Sequence, residues 1–142
     1  MADIAMQIDI AAPASAVYEA LTTTAGVAGW WTTKNDTSGT VGAMNSYWFP
    51  GMSFSWDLRV DEARPDKLVA WHCLAGPPEW EGTDVRWTLS GAPDGATLVV
   101  FDHTGFAEAG PMYRIVTLGW AQMLLRLKSY LESGQPTPFF TL

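Results

Sequence analysis

Few side chains of this 142-residue chain have chemistry to offer: two histidines, one cysteine and two close pairs of carboxylates. His103 follows Asp102 near the end of an apolar run and leads into Thr104-Gly105-Phe106. An imidazole at the mouth of a cavity can act as a general base or hold a ligand by a hydrogen bond. The competing role is structural, tying a strand end to the loop or helix beyond it. Neighbouring strand residues point to opposite faces, so Asp102 and His103 are not a catalytic dyad by adjacency. His72 stands between Trp71 and Cys73 and must face away from both, towards solvent. Cys73 lies in the apolar run from Leu68 to Leu74, without an obvious base, and reads as a buried thiol. Asp61-Glu62 and Glu79/Glu81 fall in turn-like, solvated segments. The histidines and the cysteine have no metal-ligand spacing, and no loop has the oxygen density a hard cation needs, so no metal and no cofactor are expected. A glycine-rich phosphate loop and a Gly-x-Ser-x-Gly elbow are both missing.

These residues are placed by elements that the apolar pattern lays out. Ile4, Met6, Ile8 and Ile10 alternate with smaller or polar residues, which predicts a strand with one buried face. Pro13 suits a helix start, and Val17, Tyr18 and Leu21 continue at helical spacing to about Thr22. A short second helix is expected over 24–30, ending at Trp30-Trp31. Residues 32–45 are polar and predict a loop with a short strand. Strands are then expected from Phe54 to Val60, Leu68 to Leu74, Val85 to Leu89 and Thr97 to His103, the last two as a hairpin. Its register leaves open which of Phe101 and Asp102 faces inward. From about Met112 to Glu132 a long helix carries an apolar stripe of Val116, Trp120, Met123, Leu124, Leu127 and Leu131, with Gly134 as its left-handed cap. The tail, with Phe139 and Phe140, either docks or frays. The fold class is α+β, a single domain over 1–142, with helices segregated from an antiparallel sheet.

Composition narrows the partners. The net charge is −7 and lysines and arginines are not clustered, so neither nucleic acid nor an anionic membrane surface is an expected partner. No segment reaches the roughly 18 apolar residues that span a bilayer. A lone cysteine cannot form an intrachain disulfide, and with no signal-peptide pattern at Met1-Ala2-Asp3-Ile4 the expected location is cytoplasmic. Eight tryptophans are far more than a chain of this length needs. Large aromatics fill cores and also line sites for flat apolar ligands.

The opening strand, the proline-started helix and Trp30-Trp31 resemble the entry of the START/SRPBCC helix-grip superfamily. The run from Asp94-Gly95 through Leu98-Val99-Val100-Phe101-Asp102-His103-Thr104-Gly105-Phe106, followed by Gly119-Trp120 and Leu127, resembles one branch of it. That branch is the family of homologues of the activator of heat-shock-protein-90 ATPase, and the resemblance covers essentially the whole chain. It implies a curved antiparallel sheet wrapped around the C-terminal helix, with a hydrophobic cavity beneath. It implies several activities as well: members bind lipids or polyketide-like ligands, catalyse cyclisation or hydrolysis, or dock on a chaperone.

The expected function is therefore binding of a small hydrophobic or aromatic ligand between the sheet and the C-terminal helix. The alternatives are a chaperone-associated interaction module and a cyclase- or hydrolase-type enzyme in which His103, with a tyrosine such as Tyr113, reaches a reacting atom. A homodimer partner is a further expectation. The expected ligand contacts are Trp56, Trp71, Trp87, Phe101, Trp120 and Met123 in the helix–sheet interior. Trp30, beside Trp31, is placed at an entrance, and His103 orients the ligand. Gly119 costs about 1 kcal/mol relative to alanine in a helix. It is there for close helix–sheet contact or to leave space for a ligand.

Overall fold

A computed structural model describes residues 1–142. Its seven strands are β1 (Ala2–Ile10), β2 (Asn35–Asp36), β3 (Met44–Tyr47), β4 (Trp56–Arg64), β5 (Leu68–Ala75), β6 (Asp84–Gly91) and β7 (Thr97–Phe106). Its helices are α1 (Ala14–Thr22), α2 (Thr24–Val27) and α3 (Pro111–Ser133). The strands form one antiparallel sheet in the order β1-β7-β6-β5-β4-β3-β2. Strands β2 to β7 follow one another as a meander, and β1 closes the far edge against β7.

Strand β4 differs from the pattern-based expectation at both ends, while β6 and β7 are longer than expected, β7 running past His103 to Phe106. Phe54 is 57% exposed and precedes β4, which starts at Trp56 and runs through the charged stretch to Arg64. Cross-strand hydrogen bonds to β5 carry those charged residues, and a bulge between Val60 and Glu62 lets apolar and charged residues keep their own faces. Helix α2 is shorter than expected, ending at Val27. The β6–β7 pairing settles the open register: Phe101 opposes Trp87 and both are buried, leaving Asp102 outward opposite Arg86.

Pro13 precedes α1 in extended conformation, and the Thr23 hydroxyl accepts a hydrogen bond from the Gly26 N–H at 3.0 Å to start α2. Helix α3 has 23 residues, about 34 Å of axis. Gly134 ends it with φ +74°, and its N–H bonds the Tyr130 carbonyl at 2.9 Å. Val116, Trp120, Met123, Leu124 and Leu127 are buried beneath it. Leu131, expected in the same stripe, is only half-buried.

The tail docks. The N–H groups of Thr137, Phe139 and Phe140 bond the carbonyls of Gly29, Trp30 and Trp31, and the Thr33 N–H returns to the Phe140 carbonyl. Those bonds bring the 29–33 segment, the tail and α3 together. Gly29 is what permits it, because a Cβ there would overlap the Tyr130 ring of α3. Gly29→Ala should therefore lower stability by about 1–3 kcal/mol, measured by urea denaturation, since the half-buried Tyr130 ring must be displaced.

Candidate functional site

Aromatic rings from every part of the fold meet under α3. Trp120 lies 4.6 Å from Phe101, 5.2 Å from Trp31 and 5.8 Å from Trp87 between ring centroids. Trp30 stacks on Trp31 at 5.6 Å, and Trp71 sits 5.9 Å from Trp87. Such offset and edge contacts add to plain area burial. The indole N–H groups of Trp31, Trp71, Trp80 and Trp87 are buried without an acceptor. They sit among aromatic faces, which are weaker acceptors than oxygen.

Trp120 is different, because its N–H finds a strong partner. It donates to His103 Nδ1 at 2.9 Å. Nδ1 is then the acceptor, so Nε2 carries the proton and donates to the Thr83 hydroxyl at 2.8 Å. Thr83 in turn donates to the Trp80 carbonyl at 2.6 Å. His103 is wholly buried, and burial pushes its pKa down to about 3. Both ring nitrogens are committed, so the imidazole ties β7 to α3 and to the β5–β6 loop and has no free position for a ligand. Tyr113 is committed too, its hydroxyl donating to the Asp3 carbonyl at 2.9 Å.

An apolar chamber of about 300 Å3 opens beside this core. The 29–33 segment supplies Trp31, the β3–β4 loop Phe49 and Met52, β4 Trp56 and the β5–β6 loop Trp80. Helix α3 supplies Met112, Ile115, Val116, Gly119 and Met123, and the docked tail supplies Phe140. No polar atom is exposed in it. Phe49 joins the rings of the wall, 4.5 Å from Trp56 and 5.0 Å from Phe140. Trp56 Nε1 bonds the Met52 sulfur at 3.2 Å and so steadies the β3–β4 loop. A Cβ on Gly119 would touch only the Met123 terminal methyl, at 3.6 Å. The glycine therefore leaves room and is not needed for close packing on the sheet.

Of the residues expected to contact a ligand, Trp56, Gly119 and Met123 line this chamber. Trp30, Trp71, Trp87, Phe101, His103 and Trp120 do not; they are packed in the solid core behind it. Trp30 is fully buried and gives its indole N–H to the Ala20 carbonyl at 2.9 Å, so it borders no entrance. Its neighbour Trp31 is the one that reaches the chamber. Sequence reasoning passed over Phe49, Met52, Trp80, Met112, Ile115, Val116 and Phe140 as ligand contacts. The loop residues among them carry no periodic pattern, whereas Met112 and Ile115 extend the α3 stripe by one turn.

The outer sheet face also differs from the linear reading. His72 opposes Asp84 across β5–β6, and its Nδ1 lies 2.8 Å from Asp84 Oδ1. Asp61, the residue of the β4 bulge, brings a carboxylate oxygen to within 4.8 Å of both. Asp61 is engaged by Arg59 Nε at 2.7 Å. Pairing across three strands assembles this cluster, so sequence spacing could not disclose it.

A seven-stranded antiparallel sheet closed over one long C-terminal helix, with an apolar chamber between them, is the helix-grip architecture of START/SRPBCC proteins. The family model described as Activator of Hsp90 ATPase homolog 1-like protein matches residues 11–132, and the chain belongs to that family. The solution structure of the Aha1 dimer from Colwellia psychrerythraea is 34% identical, with TM-score 0.85, over 94% of this chain and 98% of that one. DynU16, a protein of the dynemicin biosynthetic locus, is 27% identical with TM-score 0.81, over 99% of this chain and 51% of that one. Protein MLL2253 from Mesorhizobium loti is 23% identical with TM-score 0.80, over 93% of this chain and 98% of that one, and shares the fold. No curated protein matches the chain. No helix is long and apolar enough to cross a membrane.

The buried imidazole makes a pH prediction. Folding holds His103 neutral, so between its ordinary 6.5 and about 3 the unfolded chain binds a proton that the folded chain does not. This contribution to stability is complete well above pH 6.5 and is lost as pH falls through it, with a slope that approaches about 1.4 kcal/mol per unit by pH 5.5. Denaturation curves from pH 6.5 to 5 should show that slope in the difference between the wild type and His103→Gln, where other groups cancel.

Proposed function

We propose that the protein binds a small, flat, hydrophobic ligand in the chamber between the β3–β4 loop and α3. The observation that carries this reading is Gly119, a glycine in mid-helix that opens onto a space walled by aromatic rings and three methionines. Methionine adapts to varied apolar shapes, and a wholly apolar lining draws affinity from buried area, at about 25 cal/mol per Å2. The volume is at the small end of the range for small-molecule sites, about 300–1,000 Å3. The residues proposed to contact the ligand are Trp31, Phe49, Trp56, Trp80, Gly119 and Met123. Binding is favoured over turnover because the chamber presents no titratable group, and His103 and Tyr113 are engaged elsewhere.

A second reading adds a second copy of the chain as partner. Leu118 and Leu125 are 64% and 60% exposed on the outer side of α3, with Gln122 between them at heptad-like spacing and Ile115, 68% exposed, continuing the stripe to the chamber edge. Two such stripes pack antiparallel about a two-fold axis, each Leu118 beside the other copy's Leu125. The 34% identical relative is described as a dimer, which favours this occupant over a chaperone.

Two experiments test these readings. The neutral fluorophore N-phenyl-1-naphthylamine should bind saturably, and Gly119→Leu should weaken it roughly tenfold or more by filling the chamber. The same substitution should leave the fold intact, because leucine is the better helix former. Light scattering should give twice the 15.5 kDa chain mass for the wild type and a single chain for Leu118→Glu.

A further inference from the structure

A second depression of about 490 Å3 adjoins the chamber and shares Met112 and Ile115 with it as a common wall. It differs sharply in charge. Glu79 and Glu108 line it together with Phe106 and Tyr113, and no lysine, arginine or histidine does. Neither carboxylate takes part in any ion pair of the molecule. The start of α3 also borders it, and a helix N-terminus contributes about half a positive charge. Two full negative charges outweigh that half charge, in a chain whose net charge is already −7.

We propose that the protein selects cationic amphiphiles, with the apolar body in the chamber and a protonated amine in the acidic vestibule between Glu79 and Glu108. The inference rests on the chamber's being a ligand site, and it adds the ligand's charge and polarity. Two features set the orientation. The chamber exposes no polar atom, so a charged group cannot enter it without losing its hydration unrepaid. The vestibule offers an ammonium group two carboxylates beside the Tyr113 ring, which stands edge-on to the buried Phe106 at 5.4 Å. An anionic head group in the same place faces those two carboxylates, while the Arg114 guanidinium nearby is bonded to the Ala109 carbonyl at 3.2 Å and does not line the depression.

Both glutamates are exposed, so each contributes modestly. A partly exposed charge contact changes affinity by up to about fivefold, and the pair by about tenfold. The test uses three ligands with one body, 1-naphthylmethylammonium, 1-naphthylmethanol and 1-naphthylacetate, titrated by tryptophan fluorescence at low salt. The expected order is cation, then neutral, then anion, with the cation about tenfold tighter than the alcohol. In 0.5 M NaCl that preference should shrink, because screening lengths fall to a few ångströms. Glu79→Gln with Glu108→Gln should abolish the preference while leaving the alcohol unchanged, and Gly119→Leu should weaken all three. Equal binding of the three ligands overturns the vestibule and leaves the chamber standing. A cation preference that survives the double glutamine variant, or cation binding that survives Gly119→Leu, assigns the effect to general surface charge and overturns the proposal. Binding of none of the three overturns the chamber reading and this one with it.

Discussion

Helix α3 is held on the sheet by aromatic area, and area is not directional. The one buried side-chain hydrogen bond between the helix and the sheet runs from Trp120 to His103. It continues through Thr83 to the Trp80 carbonyl, so a single proton arrangement links α3, β7 and the β5–β6 loop. That chain requires a neutral imidazole in one tautomer, and burial provides it. Removing any member leaves a buried donor or acceptor unmet, which costs about 1–3 kcal/mol. With the bonds from Tyr113 to the Asp3 carbonyl and from Lys128 to the Asp9 carbonyl at the two ends of the helix, the Trp120–His103 bond fixes the position of the helix along the sheet.

The chamber follows from that position. Around Trp87, Phe101 and Trp120 the rings approach to between 4.6 and 5.8 Å and leave no space for a guest. One residue before Trp120, Gly119 has no side chain, and the opposite wall is built from the 29–33 segment, two loops, the start of β4 and the tail. The rings of Trp31, Phe49, Trp56 and Phe140 keep these segments apart as well as together, since a planar side chain holds its thickness. The dense half of the core fixes the helix, and the looser half is free to vary.

The acidic residues are distributed with the same logic. On the outer face Asp61 and Asp84 are taken up by Arg59 and His72. Beside the chamber Glu79 and Glu108 have no such partners. The contrast between partnered carboxylates on the sheet and carboxylates outside any ion pair beside the chamber gives the molecule a polarity that its overall charge does not reveal.

Much of the architecture was legible in the sequence because periodicity is a local property. The alternation in β1, β4 and β6, the α3 stripe, the Gly134 cap and the motif His103-Thr104-Gly105-Phe106 followed by Gly119-Trp120 point to the helix-grip fold from the sequence alone. The aromatic residues were identified as a group, and Gly119 as anomalous. The tertiary structure alone decided which aromatics border space and which fill it. Trp30 and Trp31 are neighbours of one type, yet one is sealed against α1 and the other lines the chamber, because the chain turns between them. Phe49, Met52, Trp80 and Phe140 come from loops and the tail, where no repeat marks the inward side. His103 carried two readings that the sequence could not separate. Its role depended on whether Trp120 and Thr83, far from it along the chain, would occupy both of its nitrogens. Spacing records what a residue's own element does with it; contacts between elements exist only once the helix has been set on the sheet.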